Sequence, residues 1–283
     1  MNRNKIVASM LSKYSQHKLN QYVENLINNP SAEYPAKKLL WFFFLSERLA
    51  TRNRGVNFYD FYNDFSTKHI YVPMIQNMIL TCNYDDTPAH IFKIYRIKYS
   101  SIPVFKISTA VNLISMFPEI HTILDPCSGW AGRMLGSILS SKKYIGFDSN
   151  LNLREPYTKL LEYFPDHNHN ATIEFVDAQT VDFSQFTYNC VFTSPPYYNI
   201  ELYSHCDKRS KLEWNDWYRL LFTKLFSNLE NHGIMILSIN AEMYDFFKTF
   251  LGECSQKIPM DLGNSRNKTT PYTEWVYVWR KMI

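Results

Sequence analysis

Four short apolar runs in the second half of the sequence each stop at a chemically useful side chain, and this repetition limits the folds open to the chain. Thr122-Ile123-Leu124 stops at Asp125, Tyr144-Ile145-Gly146-Phe147 at Asp148, Thr172-Ile173-Glu174-Phe175-Val176 at Asp177, and Cys190-Val191-Phe192 at Thr193-Ser194-Pro195-Pro196-Tyr197. Runs of this length read as buried strands. Gly233 to Ile239 reads as another, and Glu274 to Trp279 alternates as a last one. Helical patterns such as Trp217 to Phe222 and Tyr244 to Phe247 lie between them. Strands alternating with helices imply an α/β fold with a doubly wound, mainly parallel sheet. Such sheets hold ligands at the carboxyl ends of their strands.

The turn after the first run is Pro126-Cys127-Ser128-Gly129-Trp130-Ala131-Gly132-Arg133. The chain has only eight glycines, yet Gly129, Gly132 and Gly136 share this predicted strand-to-helix junction. Glycine lets backbone pass close to a ligand. Asp148 follows Gly129 by 19 positions, close to the spacing at which a carboxylate receives two ribose hydroxyls. Each aspartate, taken alone, is equally readable as a helix N-cap. Their succession at strand ends, followed by the proline loop, favours a nucleoside pocket.

In the proline loop two prolines fix φ and remove two backbone donors. The Ser194 hydroxyl and the Pro195 carbonyl are left as rigid acceptors beside the flat ring of Tyr197. Such a loop suits an NH2 group on a planar ring, although a rigid strand-to-helix turn would also use these residues.

With these motifs the chain resembles, over roughly residues 95 to 283, the amino-methyltransferases that use S-adenosylmethionine to methylate exocyclic nitrogens of DNA bases. Asp125, Pro126, Cys127, Ser128 and Gly129 resemble the methionine-binding glycine motif. Asp148, with Ser149 beside it, resembles the ribose-binding acid, and Asp177-Ala178 the adenine contact. Ser194-Pro195-Pro196-Tyr197 resembles the catalytic motif residue by residue, and the resemblance places Ser194 among the cofactor-binding residues as well. Lys98, Pro103, Phe105 and Lys106 resemble the Pro-Phe segment that closes over the methionine end of the cofactor. Ala131 departs from the usual second glycine. The resemblance implies a Rossmann-like class I methyltransferase fold with one antiparallel strand near the end of its sheet. It also implies S-adenosyl-L-methionine as cofactor, S-adenosyl-L-homocysteine as product and a flipped base as substrate. Serine before the prolines resembles the cytosine-N4 subgroup, with adenine N6 as the alternative. An RNA or protein-glutamine methyltransferase, a nicotinamide oxidoreductase and a non-catalytic DNA-binding protein are the other readings.

Residues 1–90 differ from 91–283 in being largely helical in pattern, which implies an N-terminal helical region before a methyltransferase domain. Residues 1–100 hold 13 Lys+Arg and 7 Asp+Glu, net +6, whereas 101–283 hold 17 and 19, net −2. This bias suits phosphate contact. Arg48, Arg52 and Arg54 are the first candidates for binding DNA; Lys208, Arg209 and Lys211, and then Arg266 and Lys268, are loop candidates. The aromatic cluster Phe58, Tyr59, Phe61, Tyr62 and Phe65 reads as local core.

No apolar run reaches the ~18 residues of a membrane span, and Met1 to Lys5 is not followed by the apolar stretch of a signal peptide. Cytoplasmic or nuclear residence is therefore expected, without a membrane partner. The five cysteines show no paired metal spacing and read as free thiols. His167 and His169 read as solvated, so no metal is assigned.

Overall fold

The computed structural model describes residues 2–68, 77, 81, 87–100, 102–198, 201–203, 208–260 and 275–282. Arg266, Lys268, Cys82 and Cys206 lie outside them.

Nine strands are described: β1 (Arg52–Asn53), β2 (Thr122–Asp125), β3 (Lys143–Phe147), β4 (Ala171–Glu174), β5 (Cys190–Thr193), β6 (Glu201–Leu202), β7 (Ile234–Ile239), β8 (Gln256–Pro259) and β9 (Trp275–Arg280). Seven form one sheet in the order β4-β3-β2-β5-β7-β9-β8. The first five in that order run parallel, and β9 runs antiparallel to both β7 and β8. This is the doubly wound arrangement of a class I methyltransferase fold, with the expected reversed strand near its end. Every residue of β2, β5 and β7 is buried, because helices cover both faces of a parallel sheet.

The strand order reverses between β2 and β5, and such a switch point opens a crevice at the carboxyl ends of the strands. Helix Gly132–Leu139 leaves β2 through a turn in which Gly129 has φ +60° and Ala131 φ +61°. Gly132 is fixed by packing, since a Cβ there would lie 2.0 Å from the Phe105 carbonyl oxygen. The segment around Phe105 is thereby pressed onto the start of this helix.

The N-terminal helices are Arg3–Leu11, Gln16–Asn28, Glu33–Ala50 and Phe58–Lys68, with Pro88–Tyr99 completing the region. The compositional boundary near residue 90 does not separate two cores. Leu39, Leu40 and Phe44 pack in one cluster with Ile107, Trp130, Met134 and Tyr157. The aromatic cluster is core as expected, with Phe58 and Phe61 at most 1 % exposed and Phe58 edge-on to Phe92 at 5.1 Å. A second link is the short ladder β1–β6, which ties Arg52 and Asn53 to the chain just beyond the proline loop.

Candidate active site

The residues singled out at the strand ends meet around one cavity of about 1020 Å³. That is at the upper end of the ~300–1,000 Å³ range of ligand pockets. Pro126, Cys127, Ser128 and Gly129 line it from β2, Asp148 and Ser149 from β3, Asp177 and Ala178 after β4, and Ser194 to Tyr197 from β5. Pro103, Phe105 and Lys106 form part of its wall.

Asp125 is placed differently from expectation. It is fully buried and does not line the cavity. Its carboxylate receives Arg133 Nε at 2.7 Å, the Tyr144 hydroxyl at 2.8 Å and the Cys127 N–H at 3.1 Å. Arg133 also donates to the Cys127 carbonyl and lies over the Phe105 ring at 5.3 Å. A buried carboxylate needs such a partner because its charge is otherwise too costly away from water. Asp125 therefore holds the glycine turn in shape from beneath. The sequence signal that could have found Arg133 is a lone cation in an otherwise uncharged helix, eight residues after a strand-end aspartate.

Tyr157 braces the same turn from helix Arg154–Leu161. Its hydroxyl receives the Ala131 N–H and donates to the Gly129 carbonyl, both at 3.0 Å. Asp148 Oδ2 accepts the Gly129 N–H at 2.8 Å, and Oδ1 accepts the Asn150 N–H at 2.9 Å. The Asn150 and Asn152 side-chain amides in turn reach Glu47 of helix Glu33–Ala50, so the N-terminal region helps to position the acid loop. Asp177 accepts the Gln179 N–H at 3.0 Å, a short cap, while still facing the cavity.

Burial pushes the Asp148 carboxyl from its ordinary 3.8 up to about 6, against the lowering pull of the Asn150 and Gly129 N–H groups. Between about pH 4 and 6 the folded protein thus holds a proton that the unfolded chain has released. Stability from this group is fully present below the lower value and is lost as pH rises through the upper one. Asp148→Asn should flatten that part of a urea-denaturation profile against pH; an unchanged profile would deny the shift. Burial, and next the Asp125 charge, push the Cys127 thiol up as well, which keeps it protonated and a poor nucleophile.

The proline loop is held from two sides. The Tyr218 hydroxyl donates to the Pro196 carbonyl at 2.6 Å and receives the Tyr198 N–H at 3.1 Å, pinning Tyr198 at φ +50°. The Tyr197 hydroxyl donates to the Ser238 carbonyl at 3.0 Å and lies 3.4 Å from Ser194 Oγ. A phenol has one proton, and here it goes to Ser238. The contact with Ser194 then requires the serine to donate, which leaves the Ser194 lone pairs as acceptors. No hydrogen bond to the Pro195 carbonyl forms among the described residues.

The other candidates disperse. Lys98 is exposed and outside the cavity wall, with Nζ 5.3 Å from the Tyr99 ring. Arg48 turns inward, donating to the Ile102 carbonyl at 3.0 Å and covering Trp41 at 5.2 Å. Arg52 and Arg54 are exposed and outside the cavity. Arg209 does line it, held over Trp214 at 4.9 Å, whereas Lys208 does not, and Lys211 pairs with Glu242. Among the described residues no cluster of His, Cys, Asp and Glu could hold a metal, and no helix is long and apolar enough to cross a membrane.

No family model matches the sequence, and no curated protein matches it. Solved structures resemble it at the level of fold. TrmN from Thermus thermophilus aligns at 13% identity over 62% of this chain and 49% of its own, with a TM-score of 0.46. A SAM-dependent O-methyltransferase from Thermotoga maritima aligns at 13% identity over 68% and 70%, with a TM-score of 0.43. An rRNA methylase from Streptococcus thermophilus aligns at 11% identity over 65% and 100%, with a TM-score of 0.40.

Proposed function

We propose that this protein transfers a methyl group from S-adenosylmethionine to the exocyclic amino group of a DNA base, with cytosine N4 as target. The observation that carries the reading is the oriented Ser194–Tyr197 pair at the end of β5, in the same cavity as the Asp148 carboxylate. The donor set suits the cofactor. Asp148 is a carboxylate facing the cavity beside a glycine turn, matched to ribose hydroxyls, and Asp177 with Ala178 offers an acceptor and an apolar surface for a purine ring. Phe105 and Pro103 supply apolar cover.

Bound there, S-adenosylmethionine supplies a methyl group on a sulfonium, an electrophile that needs no metal. The protein's task is to make an amino nitrogen nucleophilic, because that lone pair is delocalised into the base ring. Ser194 Oγ and the Pro195 carbonyl accept the two N–H bonds, favouring a pyramidal nitrogen with its lone pair free; as that lone pair takes the methyl and the sulfonium becomes a neutral thioether, the cationic nitrogen gives up one of these two protons to solvent. Tyr197 offers its ring to a base taken out of the stack. The acceptors are fixed before the substrate arrives, so no reorganisation is required at the moment of transfer.

Calorimetry with S-adenosylmethionine tests the cofactor half. Asp148→Ala should lose roughly 1.5–3 kcal/mol of binding, the worth of charge-assisted hydrogen bonds. In the parent protein, affinity should fall as pH drops below about 6 and Asp148 takes up its proton. Unchanged affinity in a folded Asp148→Ala protein would return this residue to a purely structural role.

A further inference from the structure

We infer that the groove between helices Glu33–Ala50 and Pro88–Tyr99 is the track along which the DNA strand lies on its way to Ser194 and Tyr197. The inference rests on the proposed DNA substrate and names the surface that would hold it. Lys37, Lys38, Trp41 and Arg48 face the cavity from the first helix, and Ala89, Phe92, Lys93 and Arg96 from the second. Steps of three, four and seven place each set on one helix face. Trp41 and Phe92 meet across the groove with ring centroids 5.2 Å apart, giving it an aromatic floor. Lys13 stands at one end, just beyond helix Arg3–Leu11.

The charge of this wall is one-sided. Among the described residues, eight Lys and Arg line the cavity besides Arg133, whose charge is matched by the buried Asp125, against only three Asp and Glu. Two of those acids, Asp148 and Asp177, sit at the sheet edge, and the third, Glu33, is engaged by Lys37 at 2.6 Å and Lys106 at 3.3 Å. Lys13 and Arg96 are exposed and have no acidic partner among the described residues. Basic side chains beside aromatic surface are what a polynucleotide strand requires, phosphates meeting the cations and sugars or bases the rings. Arg209 continues the same sign on the cavity wall contributed by the segment before helix Lys211–Asn228. Arg48 builds this wall through its contacts with Ile102 and Trp41, while Arg52 and Arg54 lie off the track.

The test is fluorescence anisotropy of a labelled single-stranded DNA oligonucleotide against salt concentration, with the full-length protein. Lys13→Glu/Arg96→Glu should weaken binding roughly tenfold or more and reduce the slope of log K against log[salt] by about 1.4, about 0.7 for each phosphate of a single strand no longer neutralised. Arg52→Glu/Arg54→Glu should leave the slope within about 0.5 of the parent value. Melting and S-adenosylmethionine calorimetry, unchanged in both variants, exclude misfolding. A parent protein that binds DNA with a slope unmoved by the first pair overturns the track and leaves the proposed substrate standing. A parent protein that binds the cofactor but no DNA overturns the proposed substrate itself.

Discussion

Ser194→Ala should lower methyl transfer on the order of 10²-fold while leaving S-adenosylmethionine affinity unchanged, since in the proposed reaction it removes the acceptor for the amino nitrogen. Tyr197→Phe separates the ring from the hydroxyl. It keeps the stacking surface but cuts the chain from Ser194 through Tyr197 to the Ser238 carbonyl, so Ser194 is no longer held as an acceptor. Its loss should be smaller, about tenfold, one hydrogen bond's worth. Tyr197→Ala, which removes both, should approach the serine variant. Single-turnover rates with cofactor binding measured in parallel check the series. Near-parental turnover in Ser194→Ala would mean that the proline loop is only a rigid turn.

Arg133→Met should cost about 3–5 kcal/mol of stability, because it leaves the buried Asp125 carboxylate without its counter-charge. Arg133 is 4 % exposed and Asp125 0 %, so water cannot replace the lost partner. The double variant Asp125→Asn/Arg133→Met should recover part of that loss, since a neutral amide is far less costly to bury than a lone charge. Urea denaturation of the two single variants and the double variant measures the coupling. A loss under about 1 kcal/mol in Arg133→Met would show that the pair does not hold the glycine turn.

The parts of the fold legible in sequence are those where burial leaves no ambiguity. β2, β5 and β7 are covered on both faces and read as continuous apolar runs. β8, Gln256-Lys257-Ile258-Pro259, is a mostly exposed edge strand whose pairing with β9 supplies the structure that its side chains do not announce. β1 and β6, two residues each, exist only because tertiary packing brings them together.

At the site, the strand-end residues are legible because topology brings successive carboxyl ends to one crevice. The partners that hold them are not. Tyr218 lies 22 positions from Pro196, and Ser238 lies 41 from Tyr197; no local spacing signals either contact. Asp125 shows the converse limit, since a strand-end aspartate looks the same in sequence whether it faces a ligand or a buried arginine. Composition likewise marks the N-terminal region as different without showing that Leu39, Leu40 and Phe44 belong to the core of the sheet domain.

Mass spectrometry of nucleosides tests methyl transfer to a base amino group in DNA directly. DNA incubated with the protein and S-adenosylmethionine carrying a deuterated methyl group should yield labelled N4-methylcytosine, at an initial rate on the order of 10²-fold lower when Ser194→Ala replaces the parent. Labelled N6-methyladenine alone would change the base and leave the chemistry of Ser194 and Tyr197 intact. Unlabelled DNA beside a labelled RNA or protein substrate under the same conditions would rule out DNA as the substrate.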